Sequence, residues 1–389
     1  MLQRLSVQNM IVVILGVGLS VSTSVARDDN DDTLSIAWLK KLSLEELMNI
    51  DVTILGKNSE RLFEAAAAVS VISGDEIRRS GARSIPEALR LSPMLNVAQI
   101  NSRQWAVSSR GFNTTSTNKL LVLIDDRSVY TTLFSGVFWD VQDVLLEDVD
   151  RIEVIAGPGG TLWGTNAVNG IINIITKSSR TTQSEPFYIS AGAGIQENVS
   201  GAVRYGGELG EDASYRAYVK YFDRDETEFE SSGTEAGDAW NGIQGGFRTD
   251  CDFSPDDAIT VQGDLYHTEA DQFMQDMATM QGGNLLAKWD HSFAATSSIM
   301  LRSYFDYTHR RMPDVFGEDR RVLDVELEHY VDLGIHQVSW GLGIRTGTSS
   351  VINSPALAFL PEKVGGTRFS GFIQDDLSLA DDLNLTLGT

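Results

Sequence analysis

From Phe187 onward the sequence alternates with a period of two, which confines the second half of the chain to antiparallel strands. In 215–221 (YRAYVKY) the odd positions are apolar or aromatic and the even ones mostly charged. Leu323, Val325, Leu327 and Val331 alternate with Asp324, Glu326, Glu328 and Tyr330. Val338, Trp340, Leu342 and Ile344 alternate with Ser339, Gly341, Gly343 and Arg345 in the same way. Comparable segments run over 200–210, 240–253, 257–267, 282–293, 297–310, 367–379 and 383–389, joined as hairpins with alternating short and long links. Each is about as long as a tilted membrane strand. A soluble sandwich alternates too, but its strands usually stop at about five or six residues, and here the polar face is densely charged. Tyr205, Phe222, Trp240, Tyr266, Trp289 and Phe293 fall near strand ends, where interfacial aromatic girdles belong. The expectation for 187–389 is a transmembrane β-barrel.

The N-terminus has a different chemistry. Arg4 supplies a positive start, 10–19 is an almost unbroken apolar run, and Ser24-Val25-Ala26 offers the small residues that a signal peptidase reads. An apolar core of roughly 10 residues is too short for the roughly 20 that a spanning helix needs. Residues 1–26 therefore read as a cleaved export signal and 27–59 as an N-terminal extension. No later segment carries a long apolar run, so any membrane crossing falls to strands. A formal net charge of -23 argues against nucleic acid, which demands clustered Lys and Arg. The single cysteine, Cys251, excludes an internal disulfide and a Cys-based metal site. With 35 Gly against 8 Pro, the composition fits strands and tight turns better than disordered linker.

Residues 60–180 read as a compact α+β unit. An apolar strand over 67–73 runs into Ser73, three residues before Glu76, which is the spacing of a helix capping box. That helix stops at Gly81, where positive φ is wanted. Ser84 and Glu87 repeat the box with Pro86 in the first turn, and Pro93 ends the second helix. Strands are expected over 95–100, 105–111, 119–124, 151–155 and 171–176, the last rich in β-branched residues.

Within this unit 110–112 read RGF, 121–125 read LVLID, and 149–177 read VDRIEVIAGPGGTLWGTNAVNGIINIITK. In this order they resemble the signatures of the plug domain of TonB-dependent outer-membrane receptors, and the resemblance covers essentially 60–178. The matching positions are Gly111, Asp125, Gly157, Pro158, Gly164 and Gly170. Gly157 to Gly160, with Pro158, build a tight turn, while Gly164 and Gly170 allow close backbone approach. A glycine run at a strand end could also cradle phosphate, but the Lys-Ser/Thr that should close such a loop is missing. Two positions depart from the family: Ala156 stands for the usual arginine and Asp126 for the usual glycine. The resemblance implies that plug arginines pair with glutamates on the inner barrel wall. Arg110 is retained for that contact, and the partner at 156 is lost. Ahead of the plug, Ile50, Asp51, Val52, Thr53 and Ile54 resemble the family's TonB box, a β-prone segment that pairs edge to edge with the periplasmic energy transducer. The same residues could be a first plug strand or plain linker.

The resemblance implies a barrel of 22 strands, of which about half can be drawn here. A plug of roughly 120 residues is equivalent to a sphere of about 18 Å radius. Strands about 4.8 Å apart and tilted about 40° each take roughly 6.3 Å of circumference, so 11 or so would close at about 11 Å and 22 near 22 Å. The chain is therefore expected to hold about half a barrel, stopping within 383–389 without a terminal aromatic residue.

Functionally, the resemblance implies TonB-dependent uptake across the outer membrane of a Gram-negative bacterium. The ligand would be a ferric siderophore or other iron complex, or cobalamin. The implied partners are the TonB transducer, outer-membrane lipid and the small extracellular ligand, and the receptor would be a monomer with no cofactor beyond its cargo. Arg103, Gln104 and Trp105, with Tyr130, Phe134, Phe138 and Trp139, fall in loops expected to face outward. They either touch ligand or pack against the barrel wall. The alternatives are a passive porin-type channel and a non-transporting surface receptor. An enzyme finds little support: the five histidines are scattered along strands without metal-ligand spacing, and Asp375 and Asp376 point to opposite faces. No catalytic or metal-binding residue is expected.

Overall fold

The computed structural model describes residues 51–52, 60–61, 68–157, 166–273, 275–380 and 383–389. Short strands β1 (Asp51–Val52) and β2 (Glu60–Arg61) pair antiparallel ahead of the main body. The apolar segment AVSVIS forms β3 (Ala68–Ser73) and leads into helix α1 (Gly74–Ser80). Ser73 and Glu76 make the full reciprocal capping box, and Gly81 closes the helix in the left-handed region at φ 71°. Helix α2 (Ile85–Leu89) starts at Ser84, whose hydroxyl accepts from Glu87 N at 3.4 Å. Its box is only half made, because the Glu87 carboxylate accepts from Arg83 N at 2.8 Å instead. The helix also ends before Pro93. Leu91 N and Ser92 N bond three residues back, to Ala88 and Leu89, so the last turn tightens early.

A hairpin of β4 (Asn96–Gln99) and β5 (Trp105–Ser108) follows. β5 stops short of the expected 111 because Arg110 lies at φ 52°, outside the extended region. Next come β6 (Leu120–Ile124), β7 (Arg127–Ser128), β8 (Val149–Ala156) and β9 (Gly170–Thr176), which join β3 in the order β3-β8-β9-β6-β7. β6 and β9 are parallel, and the other pairs are antiparallel. A Cβ at Gly170 would sit 2.3 Å from the Ile155 carbonyl oxygen, so the close approach expected there is real. Ile72, Ile77, Ile85, Leu89, Val122, Ile152, Ile172 and Ile174 form the apolar core of the unit.

The remaining strands make one eleven-stranded antiparallel sheet in sequence order. They are β10 (Phe187–Gly192), β11 (Glu197–Glu208), β12 (Ala213–Arg224), β13 (Trp240–Ser254), β14 (Asp257–Gln272), β15 (Gln275–Ala294), β16 (Ser297–Met312), β17 (Phe316–Asp332), β18 (His336–Ile352), β19 (Lys363–Ala380) and β20 (Leu383–Gly388). At one end of the sheet the turns are 209–212, 255–256, 295–296 and 333–335. At the other the links are 193–196, 225–239, 273–274, 313–315 and 353–362, so only two of them are long. The strict short–long alternation fails because β14 with β15, and β16 with β17, keep pairing out to tight turns.

Register assigns the two faces. Arg216, Arg248, Gln262, Leu286, Tyr304, Asp324, Arg345 and Arg368 lie opposite one another from strand to strand, and this row faces the N-terminal unit. The opposite face exposes Phe247, Leu265, Leu285, Phe305, Leu323, Leu342 and Phe369, an apolar band suited to lipid rather than water. Phe222, Trp240 and Tyr266 are not girdle residues. Their even numbers turn them inward, where Phe222 and Trp240 are buried with Met312 and Phe316, and Tyr266 packs against them. Tyr205 and Phe293 do lie exposed on the outer face.

Candidate functional site

The seam between the N-terminal unit and the inner face of the sheet is built from buried charge. Asp140 is 7% exposed in the loop before β8 and takes two bonds from Arg310 of β16, at 2.6 and 2.8 Å. Arg103 binds the same carboxylate at 2.9 Å. Burial alone would push this carboxyl up, but the two guanidiniums outweigh it and hold Asp140 below the usual carboxylate range. The Arg310 guanidinium also lies 4.1 Å over the Phe138 ring. Nearer the short-turn end, Asp148 pairs with Arg204 and, at 3.1 Å, with Arg216. Between the two levels Lys220 reaches Asp143 at 2.5 Å, and Arg127 meets Asp306 at 2.5 Å. Asp306 also binds Arg320 at 2.8 Å.

Hydrogen bonds that involve the plug backbone complete the seating. At the end carrying the long links, Ser102 N donates to Asp238 at 2.8 Å, and Trp240 Nε1 donates to the Ser102 carbonyl at 3.1 Å. At the opposite end Ser179 N donates to Asp250 at 2.6 Å. The unit is thus fixed to the wall at both ends. Pairs of this kind add little net stability when complete, but removing one partner leaves a buried charge and costs about 3–5 kcal/mol.

The polarity of this seam differs from the expected one. Arg110 is exposed and makes no ion pair among the described residues; its left-handed backbone points the chain outward, and its carbonyl accepts from Asn169. Most anchoring charge runs the other way, with aspartates on the unit and arginines or Lys220 on the wall; Arg127 and, at the surface, Arg180 run in the opposite sense. Ala156 is buried between Ala68 and Gly170, opposite both in register. Asp125 does join the seam: its carboxylate accepts from Thr176 N at 2.8 Å and from Gln262 of the wall at 2.8 Å. Gly157 has φ 135°, and Gly111 is exposed beside Asn169. Pro158 and Gly164 lie outside the described residues, as do Ile50, Thr53 and Ile54; Asp51 and Val52 are the backbone of β1.

The loop residues expected to face outward do sit at the long-link end, but packing claims most of them. Trp105 is only 4% exposed, in β5, beneath the Arg90 guanidinium at 4.8 Å. Arg103 is consumed by Asp140, and Gln104 accepts from Asn101 at 2.9 Å. Phe134 meets Phe138 edge-on at 5.0 Å, and Phe138 faces Phe316 of the wall at 6.3 Å. Trp139 packs on the core of the unit. Tyr130 is half-buried, with its carbonyl accepting from Arg320 at 3.0 Å. Sequence reasoning missed Asp140, Asp148, Arg204, Arg216 and Arg310. Strand parity carried the wall half of the signal, since Arg302, Asp306 and Arg310 share one face of β16; the loop aspartates carried none.

Comparisons with known proteins agree with this architecture. Residues 61–171 match the model of the TonB-dependent Receptor Plug Domain. The chain is 31% identical over 163 residues to the vitamin B12 transporter of Vibrio vulnificus, covering 41% of this chain and 26% of that protein. It is 24% identical over 351 residues to the iron-regulated outer membrane virulence protein of Vibrio cholerae, covering 83% and 51% respectively. Among solved structures, the ferripyoverdine receptor of the outer membrane of Pseudomonas aeruginosa is similar at a TM-score of 0.66 and 15% identity, covering 87% of this chain and 53% of that one. The ferric enterobactin receptor of the same organism gives a TM-score of 0.65 at 16% identity, covering 83% and 57%. The chain spans about half the length of these solved structures.

Proposed function

We propose that this chain, which belongs to the TonB-dependent receptor family, provides the plug and eleven wall strands of an outer-membrane receptor that takes up a scarce ligand at the expense of transducer work. The observation that carries this reading is the seam. The plug lies against the inner face of the wall, and buried ion pairs hold it at both ends. A passive channel has no use for so firmly seated a body. Apart from the patch of Phe138 and Val141 against Phe222, Trp240 and Phe316, the contacts that must break are polar, so water and wall groups can replace them, whereas the plug's main apolar core is its own and survives displacement. The end with the long links faces the medium, and the chain crosses from plug to wall at the periplasmic end. The cargo is an iron complex or cobalamin, in keeping with the names of the similar proteins. Residues 50–54 couple the plug to the transducer. Within them β1 (Asp51–Val52), paired among the described residues with the two residues of β2, is short enough to be exchanged for a transducer strand.

The test is a split phenotype. In the membrane-inserted receptor, Val52→Pro removes a backbone donor and fixes φ, which blocks regular strand pairing. Cells should bind ligand as before yet accumulate none. Wild-type accumulation would mean that the segment is misassigned or transport is passive, and loss of binding would mean that the segment belongs to the plug fold.

A further inference from the structure

A cavity of about 480 Å³ lies beside Asp125 and Asp126, between plug and wall, and a second of about 300 Å³ lies beyond Ser128 on the other side of the β6–β7 hairpin. The first is lined by charges of both signs. The second is not. Arg320, Arg345 and Arg368 all line it, and no aspartate or glutamate does, in a chain that carries 54 acidic residues against 31 basic ones. Arg320 and Arg345 are held in place by Asp306 and Asp324, at 2.8 and 2.7 Å, from outside the lining. Arg368 is exposed and has no ion pair among the described residues.

Two hydroxyls sharpen the assignment. Ser128 and Tyr304 also line this cavity, both more than nine-tenths buried. Neither Ser128 Oγ nor Tyr304 Oη has a hydrogen-bond partner among the described residues. Buried hydroxyls are ordinarily satisfied, and two orphans in one cavity call for an acceptor that enters it. The Arg345 guanidinium lies 6.0 Å from the Tyr130 ring and 5.8 Å from the Tyr304 ring, so it is steadied between plug and wall.

From this lining we infer that the cavity is an interior binding site for an anionic oxygen group, a carboxylate or catecholate arm of the cargo, occupied as the ligand passes between plug and wall. The assignment as a transit stop rests on the uptake reading above. Orphan hydroxyls donate to the oxygens, and the arginines supply charge-assisted bonds. A volume of about 300 Å³ accepts one arm of the cargo and not the whole of it. The cavity's basic lining favours cargo that presents an acidic oxygen group.

The test uses the protein in isolated outer membranes with 2,3-dihydroxybenzoate as the probe and benzamide, a neutral ring of similar size, as control. The acid should bind at least about tenfold more tightly than the amide. Tyr304→Phe, which removes one orphan hydroxyl, and Arg368→Gln, which breaks no existing pair, should each weaken the acid about fivefold to tenfold. An unchanged tryptic pattern shows that both variants still fold. Equal binding of the two probes, or binding of the acid that neither variant alters, overturns the site. Iron accumulation with and without an uncoupler decides the transport reading separately. Uptake indifferent to the proton gradient, with probe binding still dependent on Tyr304, would remove the uptake reading and leave the site.

Discussion

Asp125 and Asp126 close the β6–β7 hairpin as a two-residue turn, at φ 47° and 65°. This primed geometry favours glycine at the second position, where the family usually has it, and an aspartate there is strained by somewhat less than the penalty of a bulkier residue. Asp126→Gly should therefore stabilise the receptor by roughly 0.5–1 kcal/mol, read as a raised denaturation midpoint. Asp125→Gly relaxes the backbone in the same way but removes the bonds to Thr176 and Gln262, so it should destabilise. If Asp126→Gly does not raise the midpoint the strain argument fails, and if Asp125→Gly raises it too the bonds to Thr176 and Gln262 contribute less than the strain. The aspartates that seat the plug were far less legible than this turn. Asp140 and Asp148 are two acids among 54, in loops without periodicity, and only the wall positions opposite them single them out.

At the scale of elements, local rules set the strands and the first helix, and neighbours set the rest. Period two placed the wall strands, and eleven are present. β15 and β18 run further than expected, over 275–281 (QDMATMQ) and 346–350 (TGTSS), where the chain keeps pairing without a clear hydrophobic alternation to announce it. Four residues, 333–336, separate the paired Asp332 and Gln337 and reverse parity between β17 and β18, so numbering alone does not tell inside from outside across them. The two helix starts carry the same sequence spacing but different bonds. Ser73 has the reciprocal box, and Ser84 shares its would-be partner with Arg83. Ser73→Ala should cost about 1 kcal/mol in thermal unfolding, and Ser84→Ala only a few tenths. Equal losses would show that the Glu76 half of the box contributes nothing.

For the molecule as a whole, the seam predicts how acid releases the plug. Asp140 has its carboxyl held below the ordinary value by Arg310 and Arg103. Its contribution is fully present above the unfolded carboxylate pKa of about 3.9 and is lost as pH falls through the lower folded value. Protease sensitivity of the plug in isolated membranes should stay flat from neutrality to about pH 4 and rise only below it, whereas Asp140→Asn should be loosened throughout. A transition near pH 6 would assign the release to histidines instead. The strand order of the plug sheet has a mechanical consequence. β3, the first strand of the plug sheet in the chain, is also its edge among the described residues, paired with β8 from Ala68↔Ala156 to Ser73↔Arg151. A tug across the strand loads those ladder bonds one after another from Ala68, like a zipper, while a tug along it loads all of them together. β3 can therefore peel away while β8, β9, β6 and β7 remain a sheet, and the direction of the applied force, rather than its size alone, selects how much of the plug yields.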